Sequence, residues 1–137
     1  MIERPTAGGE RAILASFDTG EPDWFESNEE FNLLAKSAGV TLLQSFNGSL
    51  RRLYPATFIG AGKVVEIAEA CTYHKASVVI FNHSLTPAQE RNLEQLIHCR
   101  VIDRVSLILD IFAHRAKSHE GKLQVELAQL QYLSTRL

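Results

Sequence analysis

The chain is poor in the residues that build special frameworks. It has two cysteines, Cys71 and Cys99, in 137 residues, too few for the disulfide scaffolds of small secreted domains. Both sit in apolar or helical surroundings and no signal-peptide pattern is present, so a reducing cytoplasm is the expected setting. No apolar run lasts more than a handful of residues, which leaves no segment able to span a membrane as a helix. Internal repeats and low-complexity tracts are absent. So is an excess of one charge: 14 Lys+Arg stand against 16 Asp+Glu, a net charge of −2, and the whole chain does not advertise nucleic-acid binding. What is there is an ordinary globular composition, 45% hydrophobic and 22% charged. Its length suits one domain that folds without disulfides or a metal.

Charge is distributed less evenly than its sum suggests. Residues 1–103 hold nine basic and thirteen acidic side chains, whereas 104–137 hold five basic and three acidic ones together with His114 and His119. A mild asymmetry of this kind fits either a nucleic-acid-facing element or a solvated helix face.

Alternation of elements points to an α/β fold, a small and mostly parallel sheet flanked by helices. Residues 1–10 read as a flexible lead with Pro5, Gly8 and Gly9. Residues 11–103 read as the α/β subdomain. Strands are expected over Arg11–Phe17, Val40–Phe46, Thr57–Ile59, Ser77–Phe81 and Val101–Ile102. Helices are expected over Trp24–Ala38, Lys63–His74 and from Thr86 to His98. Gly39 is placed to end the first helix. Thr86, Pro87 and Gln89 form the pattern of a capping box with proline at its tolerated site.

Residues 104–137 read as one long amphipathic helix capped by Asp103. Val105, Leu109, Phe112, Ala116, Leu123, Leu127, Leu130 and Leu137 recur in steps of three and four, with His119 and Ser134 in the two polar slots. Such a helix would be roughly 50 Å long and the chain has no second helix to pair with it. The expectation is that the 137 residues belong to a larger protein. If the stripe lacks its partner, the chain is expected to self-associate through 104–137 as a homodimer.

Few motifs carry chemistry. Gly60-Ala61-Gly62-Lys63 follows a strand and opens a helix, where backbone N–H groups can receive a phosphate. The full phosphate-loop pattern would need glycine at 57 and a Mg2+-ligating hydroxyl at 64, and the chain has Thr57 and Val64. Gly60, Gly62 and Lys63 therefore fit a tight turn, or a weak purine-nucleotide site. Cys71, His74, His98 and Cys99 would have to converge to hold zinc, which adjacent residues on a helix make awkward, and no metal site is assigned. No nucleophile or metalloprotease pattern is present, so no residue is assigned a catalytic role. On the long helix Arg115, Lys117, Lys122 and Arg136, with interleaved glutamines, fit either a solvated face or one that meets RNA phosphates. Arg51 and Arg52 are an exposed basic pair in a loop with the same potential.

One further pattern is specific. Asp103-Arg104, Leu107 to Ala113, Arg115-Ala116, Glu120 to Leu130, Tyr132, Arg136 and Leu137 form a long string that closely resembles the N-terminal domain of HflX-type ribosome-associated GTPases. Phe58-Ile59-Gly60, Gly62-Lys63, Glu66, Leu85, Pro87, Gln89 and Arg91 to Glu94 resemble it too. The likeness covers roughly residues 11–137. It implies an α/β subdomain, then a pair of long antiparallel helices, then a GTPase domain. It also implies a partner, the large ribosomal subunit and its rRNA, and a role in splitting or rescuing ribosomes under stress. GTP and Mg2+ are implied for the whole protein. The chain itself has no phosphate loop, no Asp-x-x-Gly switch and no Asn-Lys-x-Asp motif, so it is expected to be inactive alone and to rely on a GTPase domain in cis.

Overall fold

The computed structural model describes residues 9–115 and 129–133. Within them the elements run β1 (Arg11–Ala15), α1 (Trp24–Ser37), β2 (Thr41–Phe46), α2 (Ala61–His74), β3 (Val78–Phe81), α3 (Pro87–Ile97), β4 (Arg100–Asp103) and α4 (Arg104–Arg115). The strands form one parallel sheet in the order β2-β1-β3-β4. Right-handed crossovers then dictate the layers. The step from β1 to β2 runs one way across the sheet and the later steps run the other way, so α1 lies on one face and α2 and α3 on the opposite one. Among the described residues no helix is long and apolar enough to cross a membrane.

The central strands explain the stability. All four residues of β3 and four of the five in β1 are buried, as expected for parallel strands covered on both sides. Alternation sends Ile13, Val79, Phe81 and Val101 toward Ile67 and Leu93 of α2 and α3. It sends Leu14, Val78, Ile80 and Ile102 toward Phe31 of α1 and Leu107 and Ile111 of α4. β2, at the edge, is half-exposed and carries Thr41, Gln44 and Ser45, a composition that discourages pairing with other chains. Glu10 belongs to this framework: its carbonyl accepts from Thr41 N–H at 2.8 Å and its carboxylate is ion-paired with Arg100.

The capping box forms as its sequence predicts. Thr86 Oγ1 accepts from Gln89 N–H at 3.1 Å, Gln89 Oε1 accepts from Thr86 N–H at 2.9 Å, and Pro87 opens α3. The strand expected over Thr57–Ile59 is instead a tight loop. Ile59 N–H bonds back to Thr57 O at 2.7 Å around Phe58, which has φ +68°, a three-residue turn that a continuous strand cannot accommodate. Burial of the Phe58 ring offsets the backbone strain that an aromatic residue meets at positive φ.

The long helix is corrected in two ways. Tyr132 lies in the helical residues 129–133, and its hydroxyl donates to the Asp103 carboxylate, 2.9 and 3.0 Å from the two oxygens. A straight α-helix would separate residues 103 and 132 by roughly 43 Å, so these two stretches are not one straight rod. The buried face also differs from the stripe. Leu107, Ile111, Ser106 and Asp110 are buried while Phe112 and Leu130 are exposed. Apolar residues lie on two sides of α4, and periodicity cannot tell which side meets the sheet.

Asp103 is fully buried and also accepts from Leu85 N–H at 3.2 Å and from Ser106 N–H at 3.0 Å. Hydrogen bonds to a buried charged group are worth more than neutral ones. Tyr132→Phe is expected to lower the unfolding free energy by about 1–2 kcal/mol in a urea titration, through loss of a hydrogen bond to that carboxylate. An unchanged midpoint would show that the contact does not hold residues 129–133 against the sheet.

Candidate functional site at the carboxyl edge of the sheet

Strand order reverses between β1 and β3, and the crevice beyond the carboxyl ends of such strands is where open α/β sheets place ligands. Four pieces of chain meet at this edge: the carboxyl ends of β1 and β3, the loop after β2, and the start of α2. Gly60 is the N-cap of α2 and offers no side-chain cap. A Cβ there would come within 3.3 Å of the Tyr54 ring, so any side chain would press the ring aside by a few tenths of an ångström. The Arg52 guanidinium lies over that ring, 4.6 Å from its centroid, a cation–π contact that orients an otherwise mobile side chain. Arg51 beside it is exposed. Gly62 faces open space, and Lys63 makes a 3.4 Å exposed pair with Glu66, a contact too weak to immobilise it.

The loop that carries this ring is anchored from α3. Tyr54 and Phe58 exchange backbone hydrogen bonds of 3.1 and 2.7 Å. Gln89 Nε2 donates to Tyr54 O at 3.3 Å, and Asn92 Nδ2 donates to Ala56 O at 2.9 Å. Gln89 thus caps its own helix with its oxygen and holds the loop with its nitrogen. Beneath the loop, the Phe58 ring is tilted against His83 at 4.7 Å. His83 Nε2 accepts from Phe17 N–H at 2.9 Å, which requires a neutral ring. Burial holds its pKa at about 4, below the ordinary 6.5.

A polar network occupies the α1 side of the same edge. Asn82 Nδ2 donates to Ser16 Oγ at 3.0 Å and to Ser27 Oγ at 3.2 Å, and Arg104 Nη1 donates to Asn82 Oδ1 at 2.7 Å. Arg104 is also ion-paired with Glu30. These groups satisfy one another, and their effect is to fix the start of α4 against α1.

Of the expected site residues, the structure brings Arg52 and Gly60 onto one ring, with Gly62 and Lys63 in the first turn of α2. Lys117, Lys122, Arg136 and the side chain of Arg115 lie outside the described residues. Cys71 and Cys99 both lie against Ala76, but the His74 ring is bonded to Gln44 Oε1 at 3.0 Å. Among the described residues no group of three or more His, Cys, Asp or Glu side chains gathers. Sequence reasoning missed Tyr54, Asn92 and His83. Tyr54 had one usable signal, an aromatic residue close to a basic pair.

The architecture is that of a doubly wound α/β domain whose carboxyl edge presents basic and aromatic side chains beside a helix N-terminus. The chain belongs to the family of GTP-binding GTPase N-terminal domains, whose model matches residues 26–113, and the model for the middle region of such GTPases matches residues 115–137. It is of the HflX type: it is 56% identical over its whole length to GTPase HflX of Escherichia coli (strain K12), of which it covers 32%. It is 43% identical to GTPase HflX of Lacrimispora saccharolytica over 93% of this chain and 30% of that protein. The chain thus spans about a third of the length of the curated relatives it matches. A GTP-binding protein from the hyperthermophilic archaeon Sulfolobus solfataricus, solved with GDP, superposes with a TM-score of 0.69 at 25% identity, over 89% of this chain and 36% of that one.

His83 gives the edge a pH signature. The unfolded chain takes up a proton near pH 6.5 that the folded chain refuses until about pH 4. The contribution is therefore complete above 6.5 and declines as pH falls toward 4, by up to about 3 kcal/mol. Urea midpoints measured across this range are expected to drop accordingly, and His83→Gln, which can still accept from Phe17, should remove that component.

Proposed function

We propose that the chain is a ribosome-binding N-terminal module that engages rRNA of the large subunit, within a GTPase that splits or rescues ribosomes under stress. The observation that carries this reading is the Arg52–Tyr54–Gly60 cluster at the carboxyl edge, found in a chain whose relatives are GTPases of the HflX type. Guanidinium groups position a protein on phosphates, and rings backed by arginine suit unstacked RNA bases. Arg115, Lys117, Lys122 and Arg136 would extend the contact. Mg2+ does not fit this edge: the position that would supply a metal-ligating hydroxyl is Val64, a buried core residue. In this reading GTP hydrolysis is the work of a GTPase domain in cis.

Co-sedimentation with purified large subunits across a salt series tests this. Binding should weaken steeply as salt rises. The Arg51→Ala/Arg52→Ala double variant should bind less and lower the slope of log K against log salt by about 1–2. Binding with an unchanged slope would remove the pair from the RNA face, and no binding by the folded wild type would overturn the reading.

A second reading, weak purine-nucleotide binding at Gly60, Gly62 and Lys63, is favoured by the open space at Gly62 and by the absence of acidic residues in the first turn of α2. Millimolar ATP or GTP should then raise the thermal midpoint of the wild type, and Lys63→Ala should abolish the shift. A wild type indifferent to both nucleotides would exclude this site.

A further inference from the structure

We propose that Cys71 and Cys99 form a redox pair, in which an oxidant of the peroxide class closes a reversible disulfide between α2 and the turn joining α3 to β4. The fold brings the two residues together at the amino edge of the sheet, opposite the basic edge. α2 and α3 both end in left-handed residues, Lys75 at φ +56° and His98 at φ +61°. These sharp stops turn the chain into β3 and β4, which are paired neighbours. Cys71 lies in the last turn of α2 and Cys99 directly after the cap of α3. Both flank Ala76: its N–H donates to Cys71 O at 3.0 Å, and its carbonyl accepts from the Cys99 thiol at 3.6 Å. Cys71 belongs to the core cluster, and Cys99 packs against that cluster.

The pair is asymmetric, as a reactive pair must be. Cys71 is buried and Cys99 half-buried. Cys99 is the thiol an oxidant can reach, and the neighbouring Cys71 thiol and Arg100 backbone lower its pKa against the opposing effects of burial, Glu10 and Glu94. The neighbouring Cys99 side chain, burial and the Cys99 charge together push the Cys71 thiol up. Cys99 is therefore the attacking thiolate. It displaces hydroxide from hydrogen peroxide and becomes a sulfenic acid, and the hydroxide leaves as water after taking a proton. Cys71 sulfur then attacks the Cys99 sulfur. The S–S bond forms, the S–O bond breaks, and the Cys71 proton leaves with the oxygen as a second water. Two thiols lose two electrons and one peroxide gains them, and an external dithiol reverses the step by exchange.

Exposure of the folded chain to hydrogen peroxide, followed by alkylation under denaturing conditions and intact mass measurement, tests the proposal. The wild type is expected to lose two hydrogens, to resist alkylation at both cysteines and to yield a Cys71–Cys99 cross-linked peptide, all reversed by dithiothreitol. Cys71→Ser should stop at a sulfenic acid on Cys99 that dimedone traps. Cys99→Ser should leave Cys71 oxidising at least about ten-fold more slowly. The wild-type result decides even if a variant fails to fold. Cys99 driven to sulfinic acid with Cys71 still alkylatable, disulfides formed only between chains, or thiols untouched by peroxide that oxidises free cysteine would each overturn it.

Discussion

A buried carboxylate, Asp103, ties the sheet to the start of α4 and to Tyr132. It is the last residue of β4, fully buried, and accepts hydrogen bonds from the loop before α3, from the first turn of α4 and from Tyr132. A buried charge is tolerated only when surrounding donors replace the water it has lost. The requirement works in both directions: the donors hold Asp103 in place, and Asp103 holds three separate stretches of chain in register with the sheet. The Ser16–Asn82–Arg104–Glu30 network begins one residue further on and fixes the start of α4 from the other side.

Parallel topology separates the molecule into two edges with different chemistry. At the carboxyl edge, strands hand over to loops and to helix N-termini, and the exposed arginines and the Tyr54 platform are found there. At the amino edge, helices end and strands begin, and the two cysteines flank Ala76. Membership of the HflX-type family places this domain ahead of a region described as the middle of such GTPases. The contact between Tyr132 and Asp103 crosses from one matched region to the other, giving the two a shared polar anchor.

Local signals in the sequence were reliable where local energetics decide. The Thr86–Gln89 capping box, proline at the start of α3, the C-terminal glycine of α1 and the apolar run of β3 each act within a few residues, and all formed. The site was legible in part. Arg51, Arg52, Gly60, Gly62 and Lys63 could be picked out by residue type. Their convergence could not, because it depends on Tyr54 and on two amide side chains that reach over from α3. The Thr57–Ile59 segment reads as a strand by composition, but backbone pairing between Tyr54 and Phe58 makes it a turn.

The sequence by itself determined the α/β class, the order of the principal elements and the family, since periodicity, caps and a specific residue string are properties of neighbouring residues. Tertiary structure alone decided which face of α4 is buried, where Tyr132 docks and which cysteine meets which partner. An apolar stripe lowers the free energy of any helix that covers it, whatever the covering surface is. The identity of that surface is fixed by contacts between residues far apart in the chain, and Asp103 with Tyr132 is one such contact that no local pattern encodes.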